Sequence, residues 1–291
     1  MNDPLASPQY RVGKDVSPWP YVKVARAAQH LADLQARISF WIATQPFTTV
    51  PELSPDRLTW SLRLRVGSPP PTEEWSIFLG DCIHNLRSAL DASVWELSTK
   101  GGEAPDRPLD IQFPIVDDPL KWEAAAKRRL AGVPAPVIER IRIVQPMMRP
   151  DAEKPRDLLT LLQHLSNLDK HRSSISASIV PDTINADFSV QFESDEAATR
   201  NVPPNVTVHF PEIRDGHLIV EYATVDPIDE TTGGFGLSLG IAVDTPSGNQ
   251  PLFETVGGLV TYVGQVLSVM HGGATRDSDP RETSHREATQ P

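Results

Sequence analysis

The stretch that decides the fold is EWSIFLGDCIHNLRSALDASVWELS, residues 74–98. Its apolar residues recur every three or four positions, which is the spacing of one buried helix face: Leu79, Ile83, Leu86, Leu90, Val94 and Leu97. The segment therefore predicts a long amphipathic helix that lies against a hydrophobic core. The other predicted helices are expected to pack around it.

Four further segments before residue 173 have helical spacing and predict helices at 21–41, 120–130, 135–144 and 156–171. Pro46, Pro51 and Pro55 are expected to interrupt the chain after the first helix. An alternating stretch then predicts a strand at 58–66, and residues 101–119 predict a loop with an extended piece at 111–115. The N-terminal part is thus predicted to be mainly helical.

The character of the sequence changes after Arg172. Five β-branched or alternating runs predict strands at 175–180, 187–193, 206–210, 217–225 and 235–243. They are expected to form an antiparallel sheet, because no crossover helices separate them. A final apolar pattern at 252–270 predicts one more helix.

This order of elements predicts an α+β fold: an N-terminal multi-helix module, then an antiparallel β-sheet region, then a C-terminal helix. We expect a flexible N-terminus at 1–20, the helical module at 21–172, an acidic β-rich region with its closing helix at 173–270, and a disordered polar tail at 271–291.

The charge of the chain is unevenly distributed. The net charge is −11; residues 1–172 carry 22 Lys and Arg against 21 Asp and Glu, whereas residues 173–291 carry 5 against 17. An acidic region repels phosphate backbones, and the first part is balanced rather than basic, which argues against generic nucleic-acid binding. The charge distribution is compatible with a homodimer and with a protein partner.

Several features favour a cytoplasmic protein of bacterial type without a membrane anchor. The single cysteine, Cys82, cannot form a disulfide within the chain, which suits a reducing compartment. The first twenty residues lack a signal-peptide pattern, and no uninterrupted apolar run reaches the roughly 18 residues that span a bilayer.

Polar residues on the central helix form the first part of a candidate site. His84, Arg87, Ser88 and Asp91 lie at i, i+3, i+4 and i+7, so they share one face beside the apolar stripe. Asn85 lies next to them in the sequence. Imidazole, guanidinium and carboxylate groups in this arrangement can exchange protons and hold an anion.

The second part of the candidate site is the segment HLSNLDKHR, residues 164–172. Its polar residues are His164, Asn167, Asp169, Lys170, His171 and Arg172. The first predicted helix adds Arg26 and His30 at i and i+4. The site exists only if the stretches near 84–91 and 164–172 face one another.

Four motifs follow one another in the chain: HNLRSALD at 84–91, FPI at 113–115, QP at 145–146 and NLDKHR at 167–172. Their order resembles a widespread family of bacterial proteins without an assigned activity, over roughly residues 20–175. The resemblance implies a helical module and no particular reaction.

A weaker resemblance is to the HEPN-type helical ribonucleases, which place an Arg, four to six residues and then a His on one helix. Arg26 and His30 are separated by only three residues, and in the other two helices the His precedes the Arg. The sequence therefore departs from the HEPN pattern in the spacing and the order of these residues.

Two interpretations of the polar residues follow. In the first, they form a satisfied inter-helix network, or hold a small anion or partner, and the protein is a non-catalytic binding or interaction module. In the second, it is a metal-independent endoribonuclease or related enzyme. His84 or His171 would then be the acid/base, Arg87 or Arg172 would stabilise charge, and Asp91 or Asp169 would orient the imidazole. Neither interpretation calls for a cofactor or metal, since no tight metal-ligand spacing occurs.

Overall fold

The computed structural model describes residues 19–171, 175, 177–203, 205–209 and 214–272. Over these residues the chain is an α+β protein, as the sequence predicts. The predicted tail from 273 onward and most of the predicted flexible N-terminus lie outside them. Trp19 and Pro20 were expected in that N-terminus, but they begin the first helix.

The described helices and strands follow one another in this order: α1 (Trp19–Ala43), β1 (Phe47–Leu53), β2 (Thr59–Val66), α2 (Thr72–Thr99), α3 (Trp122–Arg129), α4 (Ala135–Ile143), α5 (Leu158–His171), β3 (Ala177–Phe192), α6 (Asp195–Arg200), β4 (Asn205–Val208), β5 (Leu218–Ala223), β6 (Ile228–Thr245), β7 (Gly248–Pro251) and α7 (Leu252–Met270). Single 3-10 turns occupy Pro108–Asp110, Pro119–Lys121, Pro146–Met148 and Lys154–Arg156. The predicted helices are thus confirmed to within a few residues at their ends.

Helix α2 is the centre of the larger hydrophobic core. Five residues of its predicted stripe are completely buried, and Leu97 is 8% exposed. Helices α1, α5 and α7 pack directly against it. Burying one such side chain contributes about 1.5–3 kcal/mol, so this stripe alone is a large share of what holds the helices together.

Two antiparallel sheets follow from the strand pairing. One has the order β1-β2-β5-β4, and the other β3-β6-β7. Strands β3 and β6 form a long ribbon whose pairing runs from Ala177 opposite Val243 to Phe192 opposite Ile228. Val243 lies in the helical core, whereas Ile228 lies in a second, smaller core with Trp60. The ribbon therefore connects the two cores.

Several details differ from the sequence-based expectations. The strands after residue 172 were expected to form one sheet, but they belong to two, and β7 was not predicted. Pro51 was expected to break the chain, but it lies within β1. The prediction was wrong because β1 is an edge strand, where one side of the backbone needs no partner and a proline is tolerated. The strands predicted at 175–180 and 187–193 are one strand, β3, which continues past Pro181 with a shift in register. Helix α6, capped by the Ser194 side chain, was not predicted.

The strand pairing crosses the predicted boundary near residue 172. Strand β2 pairs with β5, and thereby joins the hairpin between α1 and α2 to the later β-rich region. The predicted division into modules stays a prediction, but the 47–66 hairpin belongs to a sheet rather than to the helical layer.

Helix α7 is the one described helix that is long and apolar enough to cross a membrane by length and composition. Its apolar residues belong to the helical core: Val256, Leu259, Val263 and Leu267 are fully buried. A core helix passes the same test, so these criteria give only weak support to a membrane span.

Candidate functional site

The polar face predicted on α2 divides into buried and exposed parts. Arg87 is buried, Ser88 and Asp91 are half-buried, and His84 is exposed. Sequence position alone does not explain the difference, because His84 and Arg87 each follow a fully buried residue, Ile83 and Leu86. Arg87 differs in that it donates to the carbonyl of the buried Phe113. These residues share a face, as predicted, but not an environment.

Arg87 and Asp91 together hold one residue of the FPI motif. Arg87 Nη2 donates to Asp91 Oδ1 at 3.0 Å and to the carbonyl oxygen of Phe113 at 2.6 Å. The Phe113 amide donates to the same Asp91 oxygen at 2.9 Å. We call this arrangement of Arg87, Asp91 and the Phe113 backbone the Phe113 clamp. Both polar groups of a buried residue outside regular structure are thus satisfied by α2.

A second side chain holds the next part of the same segment. Gln145 is fully buried, and its Oε1 accepts from the Val116 amide at 3.0 Å while its Nε2 donates to the Ile141 carbonyl at 3.1 Å. The Met147 amide donates to the Val116 carbonyl at 3.0 Å. The HNLRSALD and QP motifs therefore secure one extended segment, 111–116, from two sides.

The surroundings of the Phe113 clamp are rich in cations. Burial is the main cause that lowers the pKa of Arg129; Arg128 and Arg87 lower it further, whereas Asp91 and Asp110 oppose them. Arg129 Nε and Arg87 Nη1 are buried and have no hydrogen-bond partner within the described residues.

The second predicted stretch meets α2 at another point. Helix α5 packs against α2, and the Asp169 carboxylate lies over Gly80, where a Cβ atom would come within 2.6 Å of Asp169 Oδ1. Gly80 and His84 are one helical turn apart, so Asp169 approaches the exposed His84 end of the polar face. It does not join Arg87 and Asp91.

The other predicted residues of this stretch have separate environments. His164 is half-buried, and Asn167 is exposed and accepts from Gln163 Nε2 at 2.7 Å. The side chains of Lys170 and His171, and the whole of Arg172, lie outside the described residues. Only Asp169 of this stretch is therefore seen to contact α2 near the candidate site.

The pair on α1 does not contribute to the Phe113 clamp. Arg26 is exposed and donates to Gln29 at 2.9 Å, whereas His30 is buried with its ring centroid 6.5 Å from that of Phe78. Asn85, on α2, donates to the Asp81 carbonyl within its own helix at 2.8 Å. Arg26 and His30 thus differ in exposure and in the side chains that they contact.

The sequence interpretation did not include three residues that shape the candidate site. Phe113 and Gln145 lie in the FPI and QP motifs, but a motif does not say which atoms bind which, and Phe113 acts through its backbone. Gly80 is the third, since its missing Cβ makes room for Asp169. A glycine inside a strongly helical pattern was the one available signal of this close approach.

Two alternative chemistries find no support among the described residues. No group of three or more His, Cys, Asp or Glu side chains there could hold a metal ion. Cys82 is buried, and burial raises the pKa of its thiol to about 12, so it is protonated at neutral pH and a poor nucleophile.

A further polar contact of α2 lies near its C-terminal end. Ser93 Oγ is 2.9 Å from His271 Nε2, just past the end of α7. Burial lowers the pKa of His271, and the charges of Lys100 and Arg140 lower it further. The imidazole is therefore mainly neutral at pH 7. Ser93 itself is fully buried, so this contact fastens α7 to α2 and offers no accessible nucleophile.

Comparison with known proteins gives no match. No protein-family model, no curated protein and no solved structure matches this chain.

Proposed function

We propose that this chain is a non-catalytic binding or interaction module that works in the cytoplasm through a protein partner. The observation that carries the proposal is the Phe113 clamp. The guanidinium and carboxylate that a hydrolytic site would need are hydrogen-bonded to each other and to backbone atoms, with the Arg87 side chain only 7% exposed. A catalytic group needs access to substrate, and Arg87 lacks it: even its Nη1, which has no hydrogen-bond partner within the described residues, is buried.

The energetics of the clamp support the same proposal. A buried ion pair is expensive to desolvate and is retained where additional hydrogen bonds compensate for it. Here the compensation comes from the Phe113 amide and carbonyl, which would otherwise lack partners in the core. Arg87 and Asp91 thus serve to position segment 111–116 across α2.

The test is incubation of the purified protein with single-stranded RNA in the presence of EDTA. We expect no cleavage above that of buffer alone, both for the natural chain and for His84→Ala and His171→Ala. Cleavage by the natural chain that is lost in either variant, at an unchanged Tm, would overturn the proposal.

One observation keeps a second candidate function, a metal-independent endoribonuclease. The exposed His84 lies one turn from the point where Asp169 reaches α2. In such a reaction an imidazole exchanges a proton with the attacking ribose hydroxyl, a carboxylate orients the imidazole, and a guanidinium holds the phosphate. The RNA incubation above separates this candidate from the first.

A further inference from the structure

A groove runs between the C-terminal half of α1 and the first turns of α2. Its volume is about 790 Å³, and its apolar lining includes Phe40, Trp41, Trp75 and Phe78. Trp41 and Trp75 are buried and pack edge to face at 5.3 Å between ring centroids, so they form a rigid floor. Phe40 stands at the side with 76% of its surface exposed. We call this cleft the α1–α2 groove.

The groove already contains a positively charged side chain, that of Arg37. The guanidinium carbon of Arg37 lies 4.4 Å from the centre of the Phe78 ring, and Arg37 also pairs with the Glu74 carboxylate. Both members of this ion pair are about half exposed, at 49% and 46% of their side-chain surface. An aromatic face beside a carboxylate is a favourable seat for a guanidinium or ammonium group. Because the pair is exposed, little is lost when another cation replaces Arg37.

The charge around the groove selects the partner. Asp33 lines it as an exposed carboxylate without an ion pair in the described part of the chain, so two carboxylates face one guanidinium. This local excess of negative charge favours a cationic partner over a phosphate backbone. The net charge of −11 on the whole chain, most of which lies after residue 172, disfavours a second copy of the chain.

Exposed apolar surface continues beside the groove. Ile77 on α2 is 64% exposed and lies three positions after Glu74, on the same side of the helix. Phe40 and Ile77 therefore offer apolar contacts next to the cation seat. An apolar anchor with a neighbouring charge is the pattern that amphipathic helices present to a groove.

We propose that the α1–α2 groove docks a basic amphipathic segment of a partner protein. One Arg or Lys of that segment replaces Arg37 on Phe78 and Glu74, while an apolar side chain next to it covers Phe40. This inference rests on the proposed function, which it extends by naming the surface and the chemistry of the partner.

The test uses two fluorescein-labelled 16-residue peptides with Leu at amphipathic helical spacing, one with Lys and one with Glu at the polar positions. Fluorescence anisotropy of each peptide is measured against the full chain. We expect the Lys peptide to bind with a Kd in the range of about 1–100 μM and the Glu peptide to bind at least about tenfold more weakly.

Variants then locate the site. Phe40→Ala should weaken Lys-peptide binding about tenfold, whereas Leu120→Ala, which truncates an equally apolar side chain that is 92% exposed elsewhere, should not. Arg37→Ala should tighten binding about threefold, because it removes the internal competitor. Arg63→Ala is its control: Arg63 pairs with Glu52 at similar exposure, and its loss should leave the affinity unchanged.

Three results would overturn the inference. The first is no binding of the Lys peptide, and the second is binding that Phe40→Ala leaves unchanged while its Tm matches the natural chain. The third is self-association of the chain, measured by sedimentation, that Phe40→Ala abolishes, since the occupant would then be a second copy. None of these involves RNA cleavage, so failure here is distinct from failure of the proposed function.

Discussion

Helix α2 takes part in two arginine–carboxylate pairs that are made of the same chemical groups but have different environments. Arg87 and Asp91 are 7% and 32% exposed and bind the backbone of Phe113, whereas Arg37 and Glu74 are each about half exposed and bind each other across a groove. The Arg87–Asp91 pair is held in place by its hydrogen bonds to the Phe113 backbone. In the Arg37–Glu74 pair, another cation can take the place of Arg37. Burial and the third partner, rather than residue type, separate a structural pair from an available one.

The largest expected effect is that of Arg87→Ala. It leaves the Asp91 carboxylate without its cation and the Phe113 carbonyl without its donor, so we expect the free energy of unfolding to fall by about 3 kcal/mol or more. Urea denaturation measures this change. The matched control is Arg107→Ala, whose ion pair with Asp110 leaves the arginine 80% exposed, and which should cost less than about 0.5 kcal/mol. Equal effects of the two substitutions would remove the distinction between a structural and an available pair.

Gln145→Ala should have the next largest effect. The substitution leaves the buried Val116 amide without an acceptor, and we expect a loss of about 2 kcal/mol in the free energy of unfolding. Gln163→Ala, which removes a hydrogen bond between exposed side chains, serves as the control and should change stability by less than about 0.5 kcal/mol. A negligible effect of Gln145→Ala would mean that segment 111–116 is held by its apolar residues alone.

A pH series examines the third polar contact of α2, between Ser93 and His271. The folded protein lowers the pKa of His271 below its ordinary value of 6.5, so the unfolded chain takes up the proton first as the pH falls. The contribution of the neutral imidazole is therefore complete above pH 6.5 and is lost as the pH falls through the folded-state pKa. Urea midpoints from pH 7.5 to 5 should fall less for His271→Gln than for the natural chain. Parallel curves for the two proteins would contradict this assignment.

The smallest expected effect on stability is that of Glu74→Gln. The pair with Arg37 is solvent-exposed, so its loss should change the free energy of unfolding by less than about 0.5 kcal/mol. The same substitution should weaken Lys-peptide binding several-fold if the groove binds cations. A large stability loss would place the Arg37–Glu74 pair in the same class as the Phe113 clamp.

The helical part of the fold could be predicted because its apolar residues follow a strict helical period, and α2 is the clearest case. Pro51 and Pro181 misled the strand predictions, because proline is excluded from a strand only where its missing N–H would have paired. Whether the backbone of a proline lies next to a neighbouring strand depends on the order of the strands in the sheet. That order is set by contacts between residues that are far apart in the sequence.

The candidate site was predictable as a set of residues but not as a set of contacts. Spacing placed His84, Arg87 and Asp91 on one face, yet it gave no indication that Arg87 faces the core and His84 faces solvent. The partner of both Arg87 and Asp91 is the backbone of Phe113, more than twenty residues away, and backbone atoms have no signature in a sequence. The α1–α2 groove was likewise not foreseen, because it depends on how two helices pack.

The most direct measurement of the central claim is amide hydrogen exchange at Phe113. Its N–H donates to Asp91, so we predict that it exchanges as slowly as the core of α2 in the natural chain. In Asp91→Ala it should exchange at least about 100-fold faster, while His84→Ala leaves it unchanged. Rapid exchange at Phe113 in the natural chain, or equal rates with and without the Asp91 carboxylate, would contradict the structural role of the Phe113 clamp.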